Sequence, residues 1–386
     1  MGLFKMADKY WVGGTGNFSD YNNHWSTTSG GAPGATLPNN ADNVFFDVNS
    51  SINNASYTFT IDTAASVLGL TIRGPDITDV NKITIAGSSN LIVTGDFNLA
   101  GGTNQIINDF TGDIELDTKA ARILYTNGIT INSNIVMYFT YVRTLKSNLI
   151  MSPGKKITII AGTLNTVDGA NNWIISVGSL SLPGGTLTLG SGTHLITGTS
   201  GDLWNVVGTI SSNTSTIKFT GGLTGDINFT GGSKSTYYNL WNATTNSYSL
   251  IIKGSNTFNN FKIDAGRTVK FTNSTTTTVN TFTALGTSGA HITISNTNST
   301  THATLAKAGG GVITGCDYID IQEITGSPDL TWYIGPNSTD AGSTCTNIYL
   351  SDAPSFGFSK MNGIAIAGFS KINGIAKTSI SKVNGI

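Results

Sequence analysis

The segment Ile83-Thr84-Ile85-Ala86-Gly87-Ser88-Ser89-Asn90-Leu91-Ile92-Val93 places two short apolar runs on either side of a Gly-Ser-Ser-Asn turn. The outer residues of each run are two positions apart, so they fall on one face of a β-strand. Further triplets of this kind occur along the chain, at residues 129–131, 157–159, 187–189, 217–219, 292–294 and 319–321. This period of two predicts short strands throughout the chain.

Short strands joined by Gly, Ser and Asn turns are typical of a parallel β-helix, or solenoid, in which each coil covers the apolar face of the next. No run of ten or more residues has apolar residues at helical spacing, so we expect almost no helix. The main alternative is a set of β-sandwich modules, although sandwich strands are usually longer and hairpin turns are sparse here. The sequence therefore predicts an all-β protein that is predominantly a parallel β-helix.

The composition restricts the partners of the protein. Of its 386 residues 47 are glycine and only 11% are charged, with a formal net charge of −1. Such a weak charge argues against nucleic acid and anionic membranes as partners. Residues 1–9 lack the apolar core of a secretory signal, and no window approaches 18 consecutive apolar residues. We therefore expect neither an export signal nor membrane insertion.

We expect four segments along the chain. Residues 1–49 form an N-terminal aromatic cap or attachment module, residues 50–325 the β-helical body, residues 326–353 a closing segment and residues 354–386 a repetitive tail. A cap is expected because exposed strand edges at the end of a solenoid invite aggregation.

The tail contains three near-copies of the phrase Ser-Lys-X-Asn-Gly-Ile, 11 residues apart. Asn-Gly favours a two-residue type I′ hairpin turn, because both positions need positive φ. We therefore expect a small β-meander in which Ile364 lies beside Met361 and Ile375 lies beside Ile372.

Only Ile386 follows the third Asn-Gly turn, so we expect a neighbouring chain to supply the strand that completes the ladder. Ile386 should then lie at an intersubunit or host-protein contact. The residues that we expect to serve in assembly are Met361, Ile364, Ile372, Ile375, Val383 and Ile386.

Three carboxylates, Asp113, Glu115 and Asp117, alternate with Ile114 and Leu116. On a strand they share one face. Such a face suits a depolymerase that uses one carboxylate as general acid and another as base or nucleophile, and it also suits Ca²⁺. A solvated outer face is the simplest interpretation, so we expect neither a catalytic nor a metal site here.

Other polar groups give weaker signals. Asp317, Asp320 and Glu323 form a looser acidic group. The four histidines are dispersed without metal-ligand spacing, and the glycine runs do not match a phosphate-binding loop. Cys316 and Cys345 match no zinc or redox motif, and their pairing as a disulfide is left open. We expect no cofactor.

Six tryptophans offer flat apolar surfaces that could stack on sugar rings. Trp11, Trp25 and Trp332 lie in the terminal segments, where large aromatics are needed to fill the caps, so we expect them to be structural. The tryptophans that we expect to bind glycan are Trp173, Trp204 and Trp241.

Several blocks carry a resemblance to a known class of proteins. They are Tyr10-Trp11-Val12-Gly13-Gly14-Thr15-Gly16-Asn17, Gly254-Ser255-Asn256-Thr257-Phe258-Asn259-Asn260-Phe261-Lys262-Ile263, Gly266-Arg267-Thr268-Val269-Lys270-Phe271-Thr272, Cys316-Asp317-Tyr318-Ile319-Asp320-Ile321, Thr331-Trp332-Tyr333-Ile334-Gly335-Pro336-Asn337-Ser338-Thr339-Asp340 and the Lys-Ile-Asn-Gly-Ile tail. Over about residues 8–48 and 236–386, the chain resembles β-rich structural proteins of tailed bacteriophage virions. It departs from them at Cys345-Thr346-Asn347-Ile348-Tyr349, where a Gly-Trp pair is expected.

The resemblance implies a non-enzymatic virion structural protein, a tail fibre or capsid decoration, that acts in assembly and in attachment to host-surface polysaccharide. It also implies a homotrimer that contacts other virion proteins and is assembled in the host cytoplasm. Two alternatives remain open. One is a polysaccharide-depolymerising tailspike, and the other is a bacterial surface adhesin, which would ordinarily need an export signal.

Overall fold

The computed structural model describes residues 6–51, 55–73, 81–101, 105–232, 236–298 and 301–354, and the backbone of residues 360–361, 364–365, 371–372 and 375–376. The fold is all-β, with 51% strand and 1% helix, and its parallel sheets form a β-solenoid of about 12 turns. The predicted parallel β-helix is therefore confirmed. The β-sandwich alternative is wrong, because nearly all the pairings between described strands are parallel.

The chain consists of two compact units, Met1–Thr224 and Gly225–Ile386. The four predicted segments are defined by their expected roles and not by how compactly they fold. The division into two units therefore does not test them, and they remain predictions. Within each unit the strands follow from the same local pattern, in which Ile, Leu, Val and Phe alternate with Thr, Ser and Asn.

Among its described residues, unit 1 contains one helix, α1 Tyr21–His24, and 26 strands. The strands are β1 Ala7–Trp11, β2 Gly16–Asn17, β3 Trp25–Ser26, β4 Asp42–Phe46, β5 Tyr57–Ile61, β6 Ala65–Val67, β7 Gly69–Ile72, β8 Ile83–Gly87, β9 Leu91–Val93, β10 Phe97–Leu99, β11 Ile106–Asn108, β12 Ile114–Leu116, β13 Arg122–Tyr125, β14 Thr130–Ile131, β15 Ile135–Leu145, β16 Leu149–Met151, β17 Lys156–Asn165, β18 Val167–Asp168, β19 Asn171–Asn172, β20 Ile175–Val177, β21 Ser179–Leu182, β22 Thr186–Thr188, β23 Thr193–Ile196, β24 Gly201–Val206, β25 Thr209–Ser211 and β26 Thr216–Phe219.

The strands of unit 1 stack into parallel columns. The first column runs through β6, β9, β12, the start of β15, the start of β17, β21 and β24. The second runs through β1, β4, β7, β10, β13, the end of β15, the end of β17, β22 and β25. On the remaining side lie β2, β5, β8 and β11, and then β14, β16, β20, β23 and β26. Each coil therefore turns a corner between the first and second columns.

Burial follows the alternation read from the sequence. In β12, Ile114 and Leu116 are 3% and 0% exposed, while Glu115 between them is only half-buried. Each inward residue packs on the residue at the same position of the next coil, as Ile114 does on Leu91 and Ile135. This repeated stacking removes apolar side chains from water and provides the main stabilisation of the fold.

An aromatic cluster fills the start of unit 1. Trp11 and Trp25 are fully buried, with ring centroids 5.0 Å apart, and Phe46 and Phe59 pack against Trp11. Each indole N–H donates to a backbone carbonyl, so burial leaves neither donor unpaired. The expected structural role of these tryptophans is confirmed, and so is that of Trp332, which is also 0% exposed.

In the part of unit 2 that the structure describes there are 17 strands, among which four are short hairpin strands in the tail. The strands are β27 Ile227–Thr230, β28 Thr236–Asn242, β29 Ser249–Lys253, β30 Asn256–Ile263, β31 Thr268–Phe271, β32 Thr276–Ala284, β33 Ile292–Asn296, β34 Ala303–Lys307, β35 Ile319–Ile321, β36 Ile324–Ser327, β37 Trp332–Tyr333, β38 Thr339–Asp340, β39 Ile348–Tyr349, β40 Lys360–Met361, β41 Ile364–Ala365, β42 Lys371–Ile372 and β43 Ile375–Ala376.

Unit 2 also stacks its strands in parallel. One column runs through β27, β29, β31, β33, β35 and β38, and another through β28, β30, β32, β34 and β36. On the outer face of the second column, Asn260 donates a hydrogen bond to Asn239 and Thr281 donates one to Asn260. This ladder of polar side chains keeps the long strands of the column in register.

The tail forms hairpins where the Asn-Gly turns predict them. Met361 pairs antiparallel with Ile364, and Ile372 pairs antiparallel with Ile375. The predicted register at the first two turns is therefore confirmed. Val383 and Ile386 lie outside the described residues, so their expected roles in assembly remain predictions.

Candidate functional site

The surface feature with the richest chemistry in unit 1 is a groove along the corner between its first and second columns. Three successive coils supply it through the turns before β7, β10 and β13. One cavity, of about 400 Å³, is lined by residues that include Asn43, Phe45, Thr71, Asp96 and Arg122. We call this cavity, together with the adjoining cavity described next, the corner groove.

The second cavity of the corner groove has a volume of about 430 Å³. Its lining includes Asn40, Thr94, Asp117, Lys119 and Arg122, and both cavities share Leu68 and Arg122. The two cavities therefore adjoin at Leu68 and Arg122, and together they combine amide, hydroxyl, carboxylate and cationic groups with an aromatic and an aliphatic side chain. Volumes of this size accommodate small organic groups such as single sugar residues.

The coils approach closely at this corner because small residues occupy the turns. A Cβ added to Gly95 would lie 2.4 Å from the carbonyl oxygen of Leu68, and one added to Gly69 would lie 2.8 Å from Asn43 Oδ1. Larger side chains at these two positions would push the coils apart. The glycines thus keep the groove lined by backbone and by the polar residues next to them.

A fully buried arginine lies under the groove. Arg143 is 0% exposed, and its guanidinium donates to the carbonyl oxygens of Ile123 and Gly95 at 3.0 and 2.8 Å. Burial lowers the pKa of Arg143 to about 10; the carboxylate of Asp96 opposes this shift and the positive charge of Arg122 adds to it. Arg143 therefore remains charged at neutral pH and joins three coils of the corner.

The corner continues beyond the groove as an exposed apolar surface. Between Met137 and Arg143 the register of β15 shifts against β17, and the bend exposes Tyr138 and Tyr141 by 62% and 50%. Three further exposed apolar residues lie along the same corner. We call these five residues the tyrosine patch: Tyr138, Tyr141, Val142, Ile160 and Val207.

Contacts between successive turns place the residues of the tyrosine patch along one corner. Tyr138 pairs with Ala161 in the next coil, and a Cβ on Gly184 would lie 2.7 Å from the carbonyl oxygen of Ile160. A Cβ on Gly208, which follows Val207, would lie 2.3 Å from the carbonyl oxygen of Gly185. The coil of Gly184 and Gly185 therefore separates Val207 from Ile160, while Arg143, next to Val142, links the patch to the groove.

The three tryptophans predicted to bind glycan lie in different environments. Trp204 is 1% exposed because it stacks in the inward column on Leu180. A side chain buried to this extent cannot present its ring to a sugar, so its predicted role is corrected to core packing. Trp173 is half-buried, and its Nε1 is buried without a hydrogen-bond partner among the described residues.

Trp241 is half-buried, and one of its ring faces is covered. Its Nε1 donates to Asp264 Oδ1 at 2.9 Å, while Lys262 Nζ lies 3.9 Å from the ring centroid. A sugar could stack on that face only by displacing the ammonium group. Glycan binding at Trp173 and Trp241 remains a prediction.

The acidic trio of the first unit lies on an outer strand face, as its alternation predicts. Asp113 accepts a hydrogen bond of 3.0 Å from Asn134, and Asp117 lines the corner groove. Sequence reasoning found Asp117 but missed Asp96 and Arg122, because these residues reach the groove from other coils.

The looser acidic group of unit 2 divides into separate contacts. Burial acts to raise the pKa of Asp320, but hydrogen bonds from Thr339 and His291 outweigh it and lower the pKa. Glu323 lies 3.2 Å from His302 Nε2 instead. The carboxylate of Asp317 accepts hydrogen bonds from the backbone N–H and the side-chain amide of Asn337. These contacts join loops of unit 2, which is a structural role.

Two further observations concern metals and membranes. Among the residues that the structure describes, no group of three or more His, Cys, Asp or Glu side chains is arranged to hold a metal ion. In the same residues no helix has the length and apolar character of a membrane span. Cys316 and Cys345 are both free thiols, so the structure contains no disulfide between them.

The function of this chain is inferred from the geometry of its residues, because comparison with known proteins gives no match. No protein-family model, no curated protein and no solved structure matches the chain.

Proposed function

We propose that the chain is a non-enzymatic structural protein of a bacteriophage virion that attaches to host-surface polysaccharide along the corner of unit 1. The observation that carries the attachment role is the continuity of the corner groove with the tyrosine patch. A β-solenoid is compatible with fibres and tailspikes. The virion setting depends on the resemblance of the terminal blocks to phage structural proteins.

The chemistry of the corner suits a sugar chain. Exposed tyrosine rings pack on the apolar C–H faces of sugars, while amide, hydroxyl and charged groups bind the hydroxyls. Tyr138 and Tyr141 supply the first kind of surface, and Asn43, Thr71 and Thr94 supply the second. An extended polymer can contact both regions at once, because they lie along one corner.

Rigidity supports the same proposal. The corner is built on stacked parallel strands, so little ordering is needed when a ligand binds. Several copies of the chain on one particle would raise the effective concentration of the second contact, and the overall affinity could rise by about 10²–10⁴-fold over that of a single site. Weak individual sugar contacts are then sufficient for attachment.

The attachment role predicts a loss of polysaccharide binding when the tyrosine rings are removed. The Y138A/Y141A double variant is expected to bind immobilised bacterial capsular and O-antigen polysaccharides about tenfold more weakly than the original chain, because two stacking surfaces are lost. Surface plasmon resonance measures the affinity. The control is Y248A, which removes a tyrosine that is 46% exposed in unit 2.

Equal weakening by Y138A/Y141A and Y248A would contradict the placement of the site. Release of oligosaccharides from the same polysaccharides would instead support a depolymerase, and D117N would then show whether the acid in the groove is responsible. The virion setting is tested by gene order: a gene flanked by bacterial surface-transport genes rather than capsid and tail genes would favour an adhesin.

We also propose that the chain forms a homotrimer and that the tail contributes to assembly. Each described tail hairpin is a two-stranded sheet, and the outer edges of such a sheet can pair with a neighbouring chain. Light scattering is expected to give about three times the 40.3 kDa mass of one chain, and deletion of residues 354–386 is expected to give a smaller species. A species that still contains three chains after the deletion would contradict a role of the tail in assembly.

A further inference from the structure

We propose that the corner groove recognises a carboxylated sugar, such as a uronic acid residue of an acidic polysaccharide, and that Arg122 binds its carboxylate. This inference rests on the proposed attachment function and adds the class of ligand. It follows from an imbalance of charge at the centre of the groove.

Arg122 has an unfilled capacity for hydrogen bonding. It lines both cavities of the groove, its Nε is buried, and that atom has no hydrogen-bond partner among the described residues. A buried donor without a partner is unfavourable, since it has lost water and gained nothing in exchange. An acceptor in the groove would satisfy it once the Arg122 side chain turns toward the ligand.

Arg122 and Arg143 occupy paired positions in adjacent coils. Arg143 directs its guanidinium to two carbonyl oxygens, which accept hydrogen bonds but carry no net charge. Two like charges are therefore placed on neighbouring strands, an arrangement that is unfavourable unless anions offset it.

A carboxylate, Asp96, lies near both arginines. It lines the same cavity as Arg122, and one of its oxygens already accepts the backbone N–H of Ile123 at 2.9 Å. The negative charge of Asp96 also acts on Arg143. The second cavity is lined by Asp117 and Lys119. The two cavities are thus lined by two carboxylates and two cations, and the buried Arg143 beneath them adds a third positive charge.

The surroundings of Arg122 indicate which anion fits. Asp96 and Asp117 would repel a multiply charged phosphate, whereas a single carboxylate needs only one cation. The planar guanidinium can bind the two carboxylate oxygens side by side. Asn43 and Thr94 already donate to Asp8 and to the Val67 carbonyl, but their oxygens, like that of Thr71, can accept hydrogen bonds from sugar hydroxyls. Phe45, which stacks on Tyr10, lines the same cavity as Arg122, so the groove matches a sugar acid better than a free ion.

The test compares R122Q with the original chain on a panel of immobilised acidic and neutral bacterial polysaccharides. R122Q is expected to weaken binding to carboxylated polymers at least about tenfold, because a charge-assisted bidentate contact is lost. R122K keeps the positive charge but cannot bind both carboxylate oxygens side by side as a guanidinium can. Its affinity for carboxylated polymers is therefore expected to lie between those of the original chain and R122Q. Binding of the original chain should weaken as NaCl rises, and that of R122Q should respond less.

Two controls separate the possible failures. R73Q removes the same charge from an exposed position in unit 1 outside the groove, and it is expected to bind like the original chain. Chemical reduction of the carboxyl groups of a bound polymer should have the same effect as R122Q. Circular dichroism checks that each variant is folded.

Binding that is confined to neutral polymers, or that R122Q leaves unchanged on acidic ones, would overturn the carboxylate assignment and leave the attachment function standing. Absence of binding to every polymer in the panel would overturn both.

Discussion

Replacing Gly162 with alanine is expected to lower the free energy of unfolding by about 3 kcal/mol or more, the largest loss that we expect from a single methyl group in this chain. Gly162 has φ +72°, and a Cβ would lie 2.1 Å from Phe139 Cδ2 and 2.6 Å from the Phe139 carbonyl oxygen. Phe139 is 2% exposed, so its ring has no space into which to move. Urea unfolding followed by circular dichroism measures the loss.

The matched control is Gly154→Ala. Gly154 has φ +83°, and an added Cβ would meet nothing within 4 Å. The control therefore carries only the cost of positive φ, about 1–2 kcal/mol. A loss for G162A no greater than that for G154A would show that the coils can separate at this corner and that the tyrosine patch is less rigid than the attachment proposal requires.

As the pH falls below 6.5, the protein is expected to lose stability through His194, at pH values above those at which most carboxylates are protonated. This side chain is 1% exposed, and burial lowers its pKa from 6.5 to about 4. Its Nδ1 accepts the backbone N–H of Ile175 at 3.1 Å, which identifies the neutral tautomer with the proton on Nε2. Protonation of Nδ1 would remove that acceptor.

The direction of the pH effect follows from proton binding. Between pH 6.5 and about 4 the unfolded chain binds a proton at His194 and the folded chain does not. The stabilisation is therefore complete above pH 6.5 and is lost as the pH falls to about 4. The total is about 3 kcal/mol, at roughly 1.4 kcal/mol for each pH unit.

His194→Asn isolates this contribution, because the amide oxygen of asparagine can accept the Ile175 N–H without titrating. The variant is expected to be less stable at pH 7 and to lose less stability between pH 6.5 and 4. Urea unfolding at intervals of half a pH unit measures both slopes. His302→Asn, at a half-exposed position, should keep the original slope, and equal slopes for all three proteins would exclude His194 as the cause.

Much of the fold could be read from local pattern. Every apolar triplet that predicted a strand lies in or at the edge of one, and the Asn-Gly turns set the first two hairpin registers as expected. These features depend on residues that are neighbours in sequence, where strand periodicity and turn conformation act directly.

The candidate site was largely hidden from the sequence. The sequence predicts tryptophans as the sugar-binding surface, but Trp204 is in the core, whereas Tyr138 and Tyr141 are exposed. One local signal was present: in Tyr138-Phe139-Thr140-Tyr141-Val142 the apolar residues break the period of two, so some of them must face outward. Nothing local indicated that Arg143 is buried.

Local sequence is enough to predict that this chain forms short strands, that they alternate apolar and polar faces, and that the residues on either side of the first two Asn-Gly pairs of the tail meet. Which coils meet at the corner groove depends on how the whole chain packs. Arg143 binds the carbonyl oxygen of Gly95, 48 residues away, and Asp96 binds the amide of Ile123, 27 residues away. The physical reason is that coil length varies with each turn, so the register between distant residues is set by how the coils pack.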